Sequence, residues 1–234
     1  MIGLTSGGAI AALVVGALVV VFGGWQGAVV LFAFFIPSIL ISRVGRERKA
    51  ALVDIGKHGP RDALQVLANG GIATLAVCFA PRFGAPALAA FAGAFAAASA
   101  DTWATEIGTL VDGAPRSVLT LRPLAPGISG GVTWQGTLAQ VIGAAIVALA
   151  AALLHVAPFW PVAIGGVAGS ITDSLLGASL QTLRFCPSCE RDCETNPHVC
   201  GTPTVARRGV RWFDNDVVNF AATLIGALVA ALLL

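Results

Sequence analysis

Charge is scarce in this chain. Only 11% of its 234 residues are Asp, Glu, Lys or Arg, against about 25% in an ordinary soluble domain, which excludes a soluble globular fold. Tyrosine is absent and methionine occurs once; Ala and Gly dominate the apolar stretches, which lets helix backbones approach closely in a tight bundle. The net charge of +2 is too small to point to nucleic acid as a partner. No Lys or Arg precedes the first hydrophobic run, so the N-terminus lacks the basic region of a secretory signal and is expected to stay as a retained first helix.

What the chain has is apolar length. Stretches at 9–22, 28–41, 62–80, 85–108, 137–155, 162–183 and 214–234 predict an all-α, polytopic membrane bundle of about seven transmembrane helices, forming one integral membrane domain over residues 1–234. The first two stretches are short, and the Gly-Gly-Trp-Gln-Gly link between them suits a tight interfacial turn or a re-entrant pair. All basic residues but Arg82 fall at 43–61, 109–136 or 184–213. Alternating spans put those three loops on one side, so the positive-inside rule places them and the N-terminus in the cytoplasm.

The acidic residues of the spans all lie in the cytoplasmic half. Asp62 opens the third span, Asp101 and Glu106 sit late in the fourth, Asp173 lies within the sixth, and Asp214 and Asp216 open the seventh. Snorkelling at a helix end accounts for Asp62 and Asp214. It does not account for Asp101 or Asp173, roughly 10–15 Å from the nearest cytoplasmic helix end at 1.5 Å per residue; intramembrane carboxylates usually face a polar cavity or an ion. Ser170, Asp173, Ser174, Gly177 and Gln181 form one helical stripe. Asp62, Gln65 and Asn69 form another, Asp101 with Thr105 and Thr102 with Glu106 a third, and Asn215 with Asn219 beside Asp216 a fourth. Interhelical hydrogen bonding explains isolated Ser, Thr, Asn or Gln; several carboxylates at one level repel unless a cation or protons intervene.

Such oxygen ligands suit Mg²⁺, with Asp101, Glu106, Asp173 and Asp216 as candidates. The loop after the fourth span contains Gly127, Ser129, Gly130, Gly131 and Thr133, a run whose backbone N–H groups and hydroxyls suit an anion. Arg61 and Arg122 are candidate phosphate clamps, with positive-inside anchoring as their plainer reading. Together these residues describe phosphoryl transfer from a nucleotide to a lipid acceptor. His58, His155 and His198 fall outside the polar stripes, so no histidine base is evident; a lipid monophosphate, already anionic, needs none. The last loop carries Cys186, Cys189, Cys193, His198 and Cys200, whose spacing makes them candidate ligands of a structural Zn²⁺, with free thiols or a redox role as alternatives.

The strings QVLANGG at 65–71, SADTWATEIG at 99–108, GISGGVT at 127–133, DSLLGA at 173–178 and DNDVVN at 214–219 resemble the integral membrane family named after human transmembrane protein nineteen. Its plant plastid member is a phytyl-phosphate kinase that prefers CTP. The resemblance implies a membrane kinase transferring the γ-phosphate of CTP or another nucleotide to a prenyl monophosphate of phytyl or geranylgeranyl type. Asp101, Glu106 and Asp173 would then be catalytic, and Asn69, Ser174, Asn215 and Asn219 would orient phosphates or metal. No plastid targeting segment is expected, and the expected location is a prokaryotic plasma membrane with the site facing the cytoplasm. An ion-coupled transporter, a lipid-alcohol kinase and a cytidylyltransferase are the competing readings.

Overall fold

The computed structural model describes residues 3–45, 59–111 and 113–234; the basic loop expected at 43–61 lies mostly outside them. Among the described residues are seven helices, α1 (Ser6–Arg43), α2 (Ala63–Cys78), α3 (Ala80–Phe83), α4 (Ala85–Gly108), α5 (Trp134–Leu153), α6 (Phe159–Ser179) and α7 (Asn215–Leu232). Four of them, α1, α5, α6 and α7, are long and apolar enough to cross a membrane.

The first two apolar stretches form the two arms of α1. At Gly24 the backbone turns to φ 63°, ψ −162°, a conformation open to glycine and costly for other residues. A straight helix would separate Val19 from Gly27 by about 12 Å; here a Cβ added at Gly27 would lie 3.3 Å from the Val19 carbonyl oxygen. The arms therefore fold back on each other, as the Gly-rich link suggests.

Helix α4 is the centre of the bundle, packed against α1, α2, α5, α6 and α7. Protein covers its middle on every side, so the residues there need not be strongly apolar to sit in a membrane. Its run from Phe91 to Ala100 is buried throughout. Phe95 stacks on Phe34 at 5.5 Å and meets Phe91 edge-on at 5.3 Å, and Val77, Val147 and Val162 close around them. This apolar core fills one end of the bundle.

Small residues let α4, α6 and α7 meet backbone to backbone. A Cβ at Gly226 would sit 2.6 Å from that of Ala97 and 2.8 Å from the Gly93 carbonyl oxygen, so a larger side chain there has no room. Leu13, Leu138, Leu149, Ile164 and Leu228 point outward as a lipid-facing surface. Exposed Trp25 and Trp160 flank one end and Trp134 and Trp212 the other, the placement of interfacial aromatic belts.

Helix starts at the opposite end are capped by side chains. Thr5 accepts from Gly8 N–H at the start of α1, and Thr133 from Gly136 N–H at the start of α5, both at 3.0 Å. Asp62 and Gln65 form a capping box on α2, and Asp214 accepts from the N–H groups of Asp216 and Val217. The charges of Asp62 and Asp214 are thus explained by orphan helix donors, which is more specific than snorkelling.

Two loops fold as small antiparallel sheets that the apolar pattern does not announce. Strand β1 (Arg116–Ser117) pairs with β2 (Gly131–Val132). In the last loop β3 (Leu183–Cys186) is central between β4 (Arg191–Cys193) and β5 (Val205–Arg208). Arg207 lies 3.6 Å over the Phe185 ring and pairs with Asp192 at 2.9 Å.

Candidate active site

At the end opposite the apolar core the helices part around a cavity of about 1340 Å³. Its wall is built from the start of α2, the last turns of α4, the 113–133 loop, the start of α5, the end of α6 and the start of α7. Arg61, Asn69, Asp101, Glu106, Gly127, Ser129, Gly130, Gly131, Thr133, Asp173, Ser174, Asn215, Asp216 and Asn219 all line it. Of the residues expected in the site from sequence, Arg122 is the one left out. It lies on the exposed turn after β1, while Arg184 and Arg211 reach the cavity.

Asp101 on α4 and Asp173 on α6 face each other within hydrogen-bonding reach. Among the described residues Asp173 Oδ2 is buried with no hydrogen-bond partner. Two ionised carboxylates so placed repel, and a buried acceptor without a donor costs about 1–3 kcal/mol. A cation between them removes both penalties, so the donor set fits a hard divalent ion such as Mg²⁺.

Glu106 lines the cavity on a different footing. It is five residues beyond Asp101 on the same helix, about 140° round. Its carboxylate accepts from Ser42 Oγ at 2.6 Å, and its charge acts on Arg61. Burial pushes the Arg61 guanidinium below its ordinary value, and Glu106 opposes that shift. Glu106 therefore ties α1 and the start of α2 to the cavity wall, whereas the facing carboxyl pair is Asp101 and Asp173. Asn69 donates to the Gln65 carbonyl at 3.0 Å, one turn back on its own helix.

The Gly-rich loop is built differently from a free anion cradle. Gly131 N–H donates to the Ile128 carbonyl at 3.2 Å, the Thr133 hydroxyl caps α5, and Gly130, at φ 82°, has the Ala178 backbone 2.6 Å from where a Cβ would stand. Glycine at 130 is thus required for the loop to lie against α6. The donors of Ser129 are taken by an acid that the sequence pattern does not single out. Glu194 accepts from Ser129 N–H at 2.8 Å, Ser129 Oγ at 3.0 Å and Gln181 Nε2 at 2.8 Å. Burial pushes the Glu194 carboxyl up from its ordinary value, opposed by these donors and by Arg208. Glu194 sits in the cysteine-rich loop, 65 residues from Ser129, where no helical period marks it. Glu194→Ala is expected to lower stability by about 1–3 kcal/mol by stripping buried donors of their acceptor, read as a fall in melting temperature in detergent. An unchanged value would show that the loop stands without it.

The cysteine loop also separates its candidates. Sγ of Cys186, Cys189 and Cys200 and a ring nitrogen of His198 lie within 4.8 Å of one another. Cys193 is apart from them, buried, with its thiol donating to the Thr195 carbonyl at 3.8 Å. The five expected ligands thus reduce to a group of four.

Residues 2–227 match the family model described as Integral membrane protein DUF92. The chain belongs to that family. Protein PGR of Arabidopsis thaliana is 30% identical, aligned over 89% of this chain and 82% of its own length. Uncharacterized membrane protein MJ0933 of Methanocaldococcus jannaschii is 31% identical over 98% and 85%. Protein VTE6, chloroplastic, of Arabidopsis thaliana is 24% identical over 99% of this chain and 65% of its own. No solved structure matches the chain. The integral membrane assignment and the mostly helical fold agree with the apolar pattern, and the family carries the name of this model rather than that of the human protein.

Proposed function

We propose that this chain is a membrane prenyl-phosphate kinase that transfers the γ-phosphate of a nucleoside triphosphate, CTP by family resemblance, to a prenyl monophosphate, releasing CDP and a prenyl diphosphate. The observation that carries this reading is the Asp101 and Asp173 pair, opposed in a deep cavity with Asp173 Oδ2 unpartnered. Asp101 and Asp173 would hold Mg²⁺, with Asp216 on the same wall. Mg²⁺ held there would supply positive charge that offsets the negative charge building on the phosphate oxygens during transfer. Arg61, Arg184 and Arg211 supply the positive wall, and Asn69, Ser174, Asn215 and Asn219 supply neutral polar groups that orient phosphates. An oxygen of the prenyl phosphate forms the new P–O bond to the γ-phosphorus as the bond to the CDP oxygen breaks. The attacking oxygen is already anionic, so no base is needed. His155 lies at the other end of the bundle beside a smaller cavity of about 370 Å³.

The closed far end supports a one-sided site. A carrier would need a polar passage, and on α4 the buried apolar run from Phe91 separates the two cavities. Arg43, Arg61, Arg116, Arg184, Arg207, Arg208 and Arg211 gather at the cavity end, which supports a cytoplasmic face.

The test is incubation of the purified chain with labelled CTP and phytyl or geranylgeranyl monophosphate, followed by lipid analysis. Prenyl diphosphate with CDP is expected. A CDP-lipid with released diphosphate would mark a cytidylyltransferase, and no lipid product with either acceptor would sink the proposal. Within the same assay Arg211→Ala is expected to raise the nucleotide KM about tenfold, the loss of roughly 1.4 kcal/mol from one phosphate contact, whereas Arg122→Ala leaves it unchanged. Equal effects would mean that the cavity is not the nucleotide site.

A further inference from the structure

Strand β3 ends at Cys186, and the chain turns through Cys189 before returning as β4, with Cys186 opposite Arg191 in register. A second tight turn presents His198 and Cys200. It is closed by Gly201 N–H to the His198 carbonyl at 2.8 Å and by His198 N–H to the Thr202 carbonyl at 3.0 Å, with Gly201 at φ 84°. The two turns bring four soft or borderline donors together from opposite sides. Cys186 Sγ lies 3.6 Å from Cys200 Sγ, and His198 Nδ1 lies 3.6 Å from Cys189 Sγ and 3.2 Å from Cys200 Sγ.

These separations are informative. Sulfurs 3.6 Å apart are far beyond the roughly 2.05 Å of a disulfide. A tetrahedral Zn²⁺ with Zn–S near 2.3 Å and Zn–N near 2.0–2.1 Å sets its ligand atoms about 3.6–3.8 Å apart. Cys186 and His198 are buried, so the centre of the group is shielded, whereas Cys189 and Cys200 close it from the surface. The two turns also meet at the hydroxyls of Ser188 and Thr202, 2.9 Å apart. We infer that Cys186, Cys189, His198 Nδ1 and Cys200 bind one structural Zn²⁺, with Cys193 excluded.

The site is independent of the kinase reading, but it has a consequence for the cavity. Residues 193–196 run directly from the sheet into the cavity wall, where Glu194, Thr195 and Asn196 are found. Fastening the two turns fixes the path along which Glu194 reaches Ser129. With four protein ligands the coordination is closed, which is the arrangement of a structural ion and leaves no open position for substrate.

The full chain, purified in detergent without chelator, is expected to carry about one equivalent of Zn²⁺ by elemental analysis. Cys189→Ser and Cys200→Ser, at the two exposed positions, should drop that content at least about tenfold, because a lost thiolate opens the coordination sphere. Cys193→Ser and Cys78→Ser should retain it. If the ligand variants fail to fold, Co²⁺ exchanged into the unmodified chain gives a second reading: thiolate-to-cobalt charge-transfer absorption with the visible bands of a tetrahedral site. Metal-free protein purified from zinc-supplemented culture, a Cys189→Ser variant with full zinc content, or a Cys186–Cys200 disulfide in the denatured chain's mass would each overturn the assignment.

Discussion

Asp173→Asn is expected to lower turnover at least about a thousandfold, on the order of 4 kcal/mol of transition-state stabilisation, with Asp101→Asn close behind. Asparagine keeps the size of aspartate and removes the charge, so a divalent ion loses its anchor while the helices keep their packing. Each substitution also relieves the repulsion between the facing carboxyls, so neither should lower the melting temperature. Initial rates with CTP and a prenyl monophosphate, read beside thermal unfolding in detergent, separate the two effects. The double variant should be scarcely worse than either single one, because both residues act through one ion. Near-normal rates in either variant would reject the metal assignment and the phosphoryl-transfer reading with it. A rate lost together with the fold would show instead that the pair is structural.

Gly226→Val tests the packing that sets the cavity's shape. Its Cβ would stand 2.6 Å from Ala97 Cβ, 2.8 Å from the Gly93 carbonyl oxygen and 3.2 Å from that of Gly165. Two of those neighbours are backbone and the third is the shortest of side chains, so none can rotate aside. Overpacking typically costs about 1–3 kcal/mol, and more where the obstacle is main chain. We expect about 3 kcal/mol or more here, a fall in melting temperature on the order of 10 °C. The same helices carry Asp101 and Asp173, so a bundle that survives by spreading should also lose activity. Gly71→Ala is the control, since a Cβ there meets only Leu67 of its own helix at 3.9 Å. If Gly226→Val melts with the unmodified chain, the close approach of α4, α6 and α7 does not govern stability.

The helices, the hairpin at Gly24 and the polar faces of α2, α4, α6 and α7 were legible in the sequence, because each is written in local order. Apolar length, a Gly-rich link and i, i+3, i+4 spacing need no knowledge of the rest of the chain. Depth was legible too: placing Asp101, Asp173, Asn69 and Asn219 on a common level required only their positions along helices of known rise. That is why nearly all of the residues that the sequence alone grouped line the cavity.

Tertiary structure decided the pairings. Glu194 answers Ser129 across 65 residues, Glu106 answers Ser42 on α1 across 64, and neither contact has a period to announce it. Spacing offered five zinc ligands, and the β3–β4 hairpin turned Cys193 away from the other four. Gly130 suits an anion cradle by composition but is held to glycine by Ala178, and Arg122 shares its loop with the site yet points out of it. Composition and periodicity state which face of an element is polar. Which partner meets that face depends on how loops close between elements, a matter of three-dimensional distance that no local pattern encodes.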